Sequence, residues 1–186
     1  MPLGVCVVMA RLGRRDPSNG HARTYRSEMD EPVIRRATSR DLSALARLRR
    51  QFTLEDGPIT SPREDFDFAF IEIVGRGLSD GRWVVWVASV DGEIVSRAFV
   101  GLVDKIPRPT PGHRWLGYLT NVYTAPAHRN RGLGGRVLEA TKNWAGEEGV
   151  ELLVVWPSEE SVSFYHRHGL AGDGEPLVWM SAAASG

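Results

Sequence analysis

From Val33 onward the apolar positions change period several times, and each change marks an element. VIRRAT, Val33 to Thr38, is a short β-rich run. Thr38 followed three residues later by Asp41 makes a capping-box-like helix start. Leu42, Leu45, Ala46 and Leu48 then recur at helical spacing, which predicts a first helix ending near Phe52. After the loop LEDGPITS, Ser61 and Pro62 suit the N-cap and first-turn positions of a second helix. Phe66, Phe70, Ile73 and Val74 would share one face of it, and it should run to about Gly75 or Leu78.

The pattern then turns to β. RWVVWVASV and EIVSRAFVGLVD flank Asp91-Gly92, a strong hairpin signal. Trp83 and Trp86 stand at i and i+3, so a strand sends them to opposite faces. The proline-rich KIPRPTPGH leads into a third run, RWLGYLTNVYT. Gly132 to about Glu147 reads as a helix, VELLVVW as a buried strand, SEESVSFYHRHG as a helix closed by Gly169, and EPLVWM as a last strand. The order β-α-α-β-β-β-α-β-α-β predicts an α+β domain, a three-layer arrangement of one central sheet flanked by helices.

Composition narrows the class. The 186 residues fit one domain with a substantial core, and 23 basic against 23 acidic residues give no electrostatic case for nucleic acid or anionic membrane. Residues 1–28 differ from the rest: a short apolar start precedes a mixture of Arg, Gly, Pro and Ser, with five arginines against Asp16 and Glu28. The arginines follow the apolar stretch rather than precede it, so this is not the order of a signal peptide. The segment is expected to be a disordered arm, and residues 29–186 the folded domain. Cys6 is the only cysteine, which excludes an intrachain disulfide and fits a reducing cytoplasm. His166 and His168 straddle Arg167 on a predicted helix and so point to different sides, a poor metal pair; no metal is expected.

The chemistry concentrates in VYTAPAHRNRGLGG, residues 122–135, where three glycines and two arginines lie between a strand and a helix. Glycine lets backbone approach a ligand closely, and the N–H groups of a helix start favour a phosphate. A Walker A loop would end in Gly-Lys-Ser/Thr, but Gly134-Gly135-Arg136-Val137 stands here. A dinucleotide fingerprint would need Gly or Ala at Val137 and an acidic residue closing the next strand, where Trp156-Pro157 is found.

RNRGLG, Arg129 to Gly134, resembles the R/Q-x-x-G-x-G/A loop of the GNAT superfamily of N-acetyltransferases, and it lies between the strand and helix that this family uses. WPSEESVSFYHRHGL resembles a second family segment, with Ser158 where Asn is common, Ser161 where Ala is common and Leu170 where Phe is usual. Residues 33–181 follow the family's element order, a mixed and mostly antiparallel sheet. The resemblance implies acetyl-CoA as co-substrate, with the pyrophosphate wrapped by amides of Arg129, Asn130, Arg131, Gly132, Leu133, Gly134 and Gly135. It implies that Val122, Tyr123 and Thr124 splay from the next strand and receive the pantetheine arm, one N–H facing the developing oxyanion, and that Ser158 and Ser161 border the cofactor. It implies Tyr165 as the general acid that protonates the departing thiolate.

The acceptor implied is a primary amine of a small molecule or peptide. Glu55 and Asp56, expected in the loop between the first two helices, either take the amine's proton or charge or are simply solvated. Asn121, Asp104 and His113 are weaker candidates of the same kind. A catalytically silent acyl-CoA-binding sensor or scaffold would keep the loop as well, and a homodimer through the EPLVWM edge is compatible with the pattern.

Overall fold

The computed structural model describes residues 31–55, 57–59, 63–109, 112 and 114–171. The arm at 1–28, the candidates Asp56 and His113, and the strand expected at EPLVWM lie outside the described residues. The element order is β1 (Val33–Arg36), α1 (Leu42–Glu55), α2 (Phe66–Ser79), β2 (Trp83–Val90), β3 (Glu93–Asp104), β4 (Trp115–Thr124), α3 (Leu133–Glu147), β5 (Val150–Val154) and α4 (Glu159–Arg167). These follow the predicted order element by element. The five strands form one sheet in sequence order, antiparallel except for the parallel pair β4 and β5.

Alternation along the strands builds two cores. Val85, Val87, Ile94, Phe99 and Tyr123 meet Leu42, Leu45, Leu48, Phe52 and Val74 of α1 and α2. Val84, Ala88, Ala98, Val100 and Leu119 meet Leu133, Val137, Leu138 and Trp144 of α3, with Tyr165 of α4 in the same cluster. Trp83 packs on the first face and Trp86 on the second, as the strand spacing requires. The β2–β3 turn places Asp91 at φ 51° and Gly92 at φ 78°, the left-handed pair that an Asp-Gly hairpin selects. Among the described residues no helix is long and apolar enough to cross a membrane.

Four boundary or burial expectations need correction. α1 continues past Phe52 to Glu55, because Thr53, Leu54 and Glu55 contain no breaker and the first glycine comes only at Gly57. Glu55 is therefore a helix residue, not a loop residue. α2 begins at Phe66 rather than at Ser61-Pro62, which lie outside the described residues; Glu64 and Asp65 form a turn before it. Ile73 is 50% exposed, and Ala69, Val74 and Gly77 are the fully buried positions of α2. β5 was expected to be buried, yet Glu151 and Leu152 are exposed, and Leu153 and Val154 are only partly covered.

Candidate active site

The site is organised by a defect in β4. Arg97 of β3 pairs with Tyr123, but Phe99 pairs with Thr120, so β4 carries one extra residue opposite Ala98. Asn121 absorbs this bulge at φ 52°, a left-handed conformation that asparagine tolerates better than most side chains. On the other side β4 stays in register with β5 only as far as Tyr118, which pairs with Val154. Beyond that point Leu119 to Thr124 have no β5 partner, and the two strands part.

The glycine loop follows directly. Pro126–His128 form a 3-10 turn, Asn130 takes φ 60° and Gly132 takes φ 74° as the residue before α3. The first helical bond runs from the Arg136 amide to the Gly132 carbonyl at 3.0 Å. The amides of Leu133, Gly134 and Gly135 precede that bond, so no helical carbonyl lies before them to receive them, and the helix macrodipole adds partial positive charge there. The three glycines have different duties. Gly132 supplies the left-handed turn. A Cβ on Gly134 would lie 3.2 Å from Thr124 Oγ1 of β4, and one on Gly135 would lie 2.5 Å from the His168 ring. Gly134 and Gly135 thus let α3 approach β4 and the end of α4.

Arg129 turns its guanidinium inward. Its Nε donates to the Thr124 carbonyl at 2.9 Å and its Nη2 to Glu55 Oε2 at 2.5 Å. Tyr123 donates its hydroxyl to Glu55 Oε1 at 2.6 Å, and the Arg129 guanidinium lies 5.6 Å from the Tyr123 ring centre. Burial, then the hydrogen bond to Glu55 and its charge, push the Tyr123 hydroxyl well above the ordinary tyrosine range, so it remains a donor. Glu55 accepts strong donors on both oxygens, so its carboxylate ties Arg129 to Tyr123.

Tyr165 and Ser161 are the buried positions of α4, one turn apart. Tyr165 is 2% exposed and borders a cavity of about 420 Å³ with Leu153, Val155, Val162 and Leu170. Burial first, and then the charge of Tyr118, push its hydroxyl well above the ordinary range, so it is protonated at neutral pH. Phe164 packs edge-on to Tyr165 at 5.3 Å, and its ring would lie 3.7 Å from a Cβ on Gly134. Ser158 is the N-cap residue of α4, and Ser161 is fully buried with its hydroxyl donating to the Ser158 carbonyl at 3.0 Å.

The fold brings Asn121, Val122, Tyr123, Thr124, Arg129, Gly134 and Glu55 together. Asp104 does not join them: it accepts from Arg114 Nε and Trp115 Nε1 at 3.2 and 3.1 Å, at the end of β3 far from the bulge. Sequence reasoning passed over Arg97, a wholly buried arginine whose Nη1 donates to the Asn121 carbonyl at 3.2 Å. The available signal was an arginine at the centre of EIVSRAFVGL, where a buried strand otherwise carries apolar or small residues.

Comparison with known proteins agrees with this geometry. A family model described as acetyltransferase (GNAT) domain matches residues 81–169. The uncharacterized N-acetyltransferase YhfO of Bacillus subtilis is 26% identical over 144 residues, spanning 75% of this chain and 90% of that protein. A predicted acetyltransferase from Clostridium acetobutylicum, crystallised with acetyl-CoA, superposes with a TM-score of 0.67 at 25% identity, over 81% of this chain and 96% of that one. A GCN5-related N-acetyltransferase from Ralstonia eutropha shares the fold, with a TM-score of 0.66 at 23% identity over 81% and 99% of the two chains. Over residues 81–169 the chain matches the GNAT acetyltransferase domain, and its fold is similar to that of N-acetyltransferases of that superfamily.

Proposed function

We propose that this chain is an N-acetyltransferase that moves an acetyl group from acetyl-CoA to a primary amine of a small molecule or peptide, by direct attack within a ternary complex. The observation that carries the reading is the parting of β4 from β5 beyond Tyr118, directly ahead of the α3 N-terminus. An extended pantetheine arm would pair with the strand groups of Val122 to Thr124, and the pyrophosphate would meet the amides of Arg129 to Gly135. The Clostridium relative crystallised with acetyl-CoA supports this choice of co-substrate.

Acetyl-CoA supplies the activated acyl group when bound. This chain's residues hold it, exclude water and manage one proton. A backbone N–H of the bulged strand would face the thioester carbonyl oxygen and stabilise the charge that develops as the amine attacks. The C–S bond then breaks with its electron pair on sulfur, Tyr165 Oη gives its proton to the thiolate, and the proton shed by the attacking nitrogen leaves to water, from which the tyrosinate is reprotonated. The raised proton affinity of Tyr165 keeps this proton in place until a strong base forms beside it. Glu55 serves by holding Arg129 and Tyr123.

Release of free thiol from acetyl-CoA, followed with and without a panel of amino acids, polyamines, amino sugars and short peptides, tests this reading. Amine-dependent thiol release matched by acetylated amine is expected. Tight acetyl-CoA binding with no thiol release on any amine would instead indicate a silent sensor or scaffold.

A further inference from the structure

The bulge that shapes β4 is held by a side chain from outside the cofactor loop. Arg97 is fully buried on the α1–α2 face of β3, with its guanidinium 5.2 Å from the Phe99 ring centre and 5.8 Å from that of Tyr123. Its Nη1 donates to the carbonyl of Asn121, the residue at φ 52°. A charged group fully removed from water is costly, and it is retained where it has a specific duty. A left-handed non-glycine residue likewise persists only where its surroundings hold it.

A peptide unit is planar and trans, so its carbonyl and its N–H point in opposite directions. Fixing the Asn121 carbonyl on the Arg97 guanidinium therefore fixes the Val122 N–H, directed away from that guanidinium. We propose that Arg97 is a positioning residue for acetyl transfer: it locks the Asn121–Val122 peptide so that the Val122 N–H meets the thioester carbonyl oxygen of acetyl-CoA. This rests on the cofactor assignment above and adds which amide is used and what aims it. Arg97 itself touches neither substrate nor cofactor. Its rigid fork between two aromatic rings suits the duty, because a guanidinium is planar and always charged.

The test needs no knowledge of the acceptor. Acetyl-CoA and free CoA share the pyrophosphate and pantetheine arm, but only acetyl-CoA carries the carbonyl. Dissociation constants of both are measured by calorimetry for the wild-type protein, Arg97→Met and Arg97→Lys, alongside thermal unfolding. The variants should bind acetyl-CoA about fivefold more weakly, the size of one ordinary hydrogen bond, while CoA affinity stays within about twofold. Arg97→Lys keeps the buried cation without the fork and gives the result if Arg97→Met does not fold. Equal weakening of both ligands, or of neither, in a folded variant would overturn the role of Arg97. A wild-type protein that binds neither ligand would overturn the cofactor assignment instead.

Discussion

Glu55 and Arg129 meet at 2.5 Å across 74 residues of chain, joining the last residue of α1 to the first residue of the RNRGLG loop. Their side chains are only 22% and 18% exposed, so the pair is largely shielded from solvent screening. Arg129 also holds the Thr124 carbonyl, and Glu55 also holds the Tyr123 hydroxyl. The glycine loop, the end of β4 and the helix preceding the α1–α2 loop are thereby fastened at one point.

Glu55→Gln should lower stability by about 1–3 kcal/mol, the range for leaving a partly buried charge without its partner. Tyr123→Phe should cost less, about 1 kcal/mol, since one hydrogen bond is lost and the ring packing stays. Urea unfolding of each variant measures this. A cycle combining Glu55→Gln with Arg129→Met should show coupling of about 0.5–3 kcal/mol, and strict additivity would show that the contact contributes nothing.

Acid should weaken the start of α1 through Asp41. Its carboxylate accepts a fork from Arg35 at 2.8 Å and the Thr38 amide at 2.7 Å. These bonds, the Arg35 one foremost and against the opposing effect of burial, lower it from 3.8 to about 2. A depressed carboxylate contributes stability above its unfolded value, and that contribution is lost as pH falls toward the folded value. Asp41→Asn should therefore be less stable than the wild type at pH 7 by a gap that holds down to about pH 4 and closes toward pH 2. Denaturant midpoints across that range check it; a gap independent of pH would contradict it.

Tyr165→Phe keeps the buried ring and deletes the hydroxyl. Turnover should fall roughly 10²-fold, with acetyl-CoA affinity and unfolding temperature nearly unchanged. Because burial raises the tyrosine, the wild-type rate should show no loss from its ionisation up to about pH 10. Steady-state rates on an accepted amine measure both. Wild-type turnover in the Phe variant would leave Tyr165 as a packing residue and the acid unassigned.

Much of the fold was legible because its signals are local. Asp91-Gly92, Gly132 and Gly169 all occupy the left-handed region where a turn or helix end was expected, and Thr38 with Asp41 forms the capping box read from spacing. The extra turn of α1 was missed because nothing between Phe52 and Gly57 forbids or demands it. The site was legible only in part. RNRGLG announced the loop, but periodicity carries no information on which distant side chains meet. The partnership of Glu55 with Arg129, and the hold of Arg97 on Asn121, required the folded chain. The bulge had a faint trace in LTNVYT, where asparagine interrupts a β-rich run.

The central claim is that acetyl-CoA binds where β4 and β5 part, against the start of α3. Titration of acetyl-CoA into the wild-type protein and Gly134→Val tests it most directly. A Cβ at this position already lies 3.2 Å from Thr124 Oγ1, and the added methyls would force α3 off β4 and fill the cleft beside its amides. The account predicts one acetyl-CoA per wild-type chain and almost none for a folded Gly134→Val. Equal binding by the two proteins would contradict it.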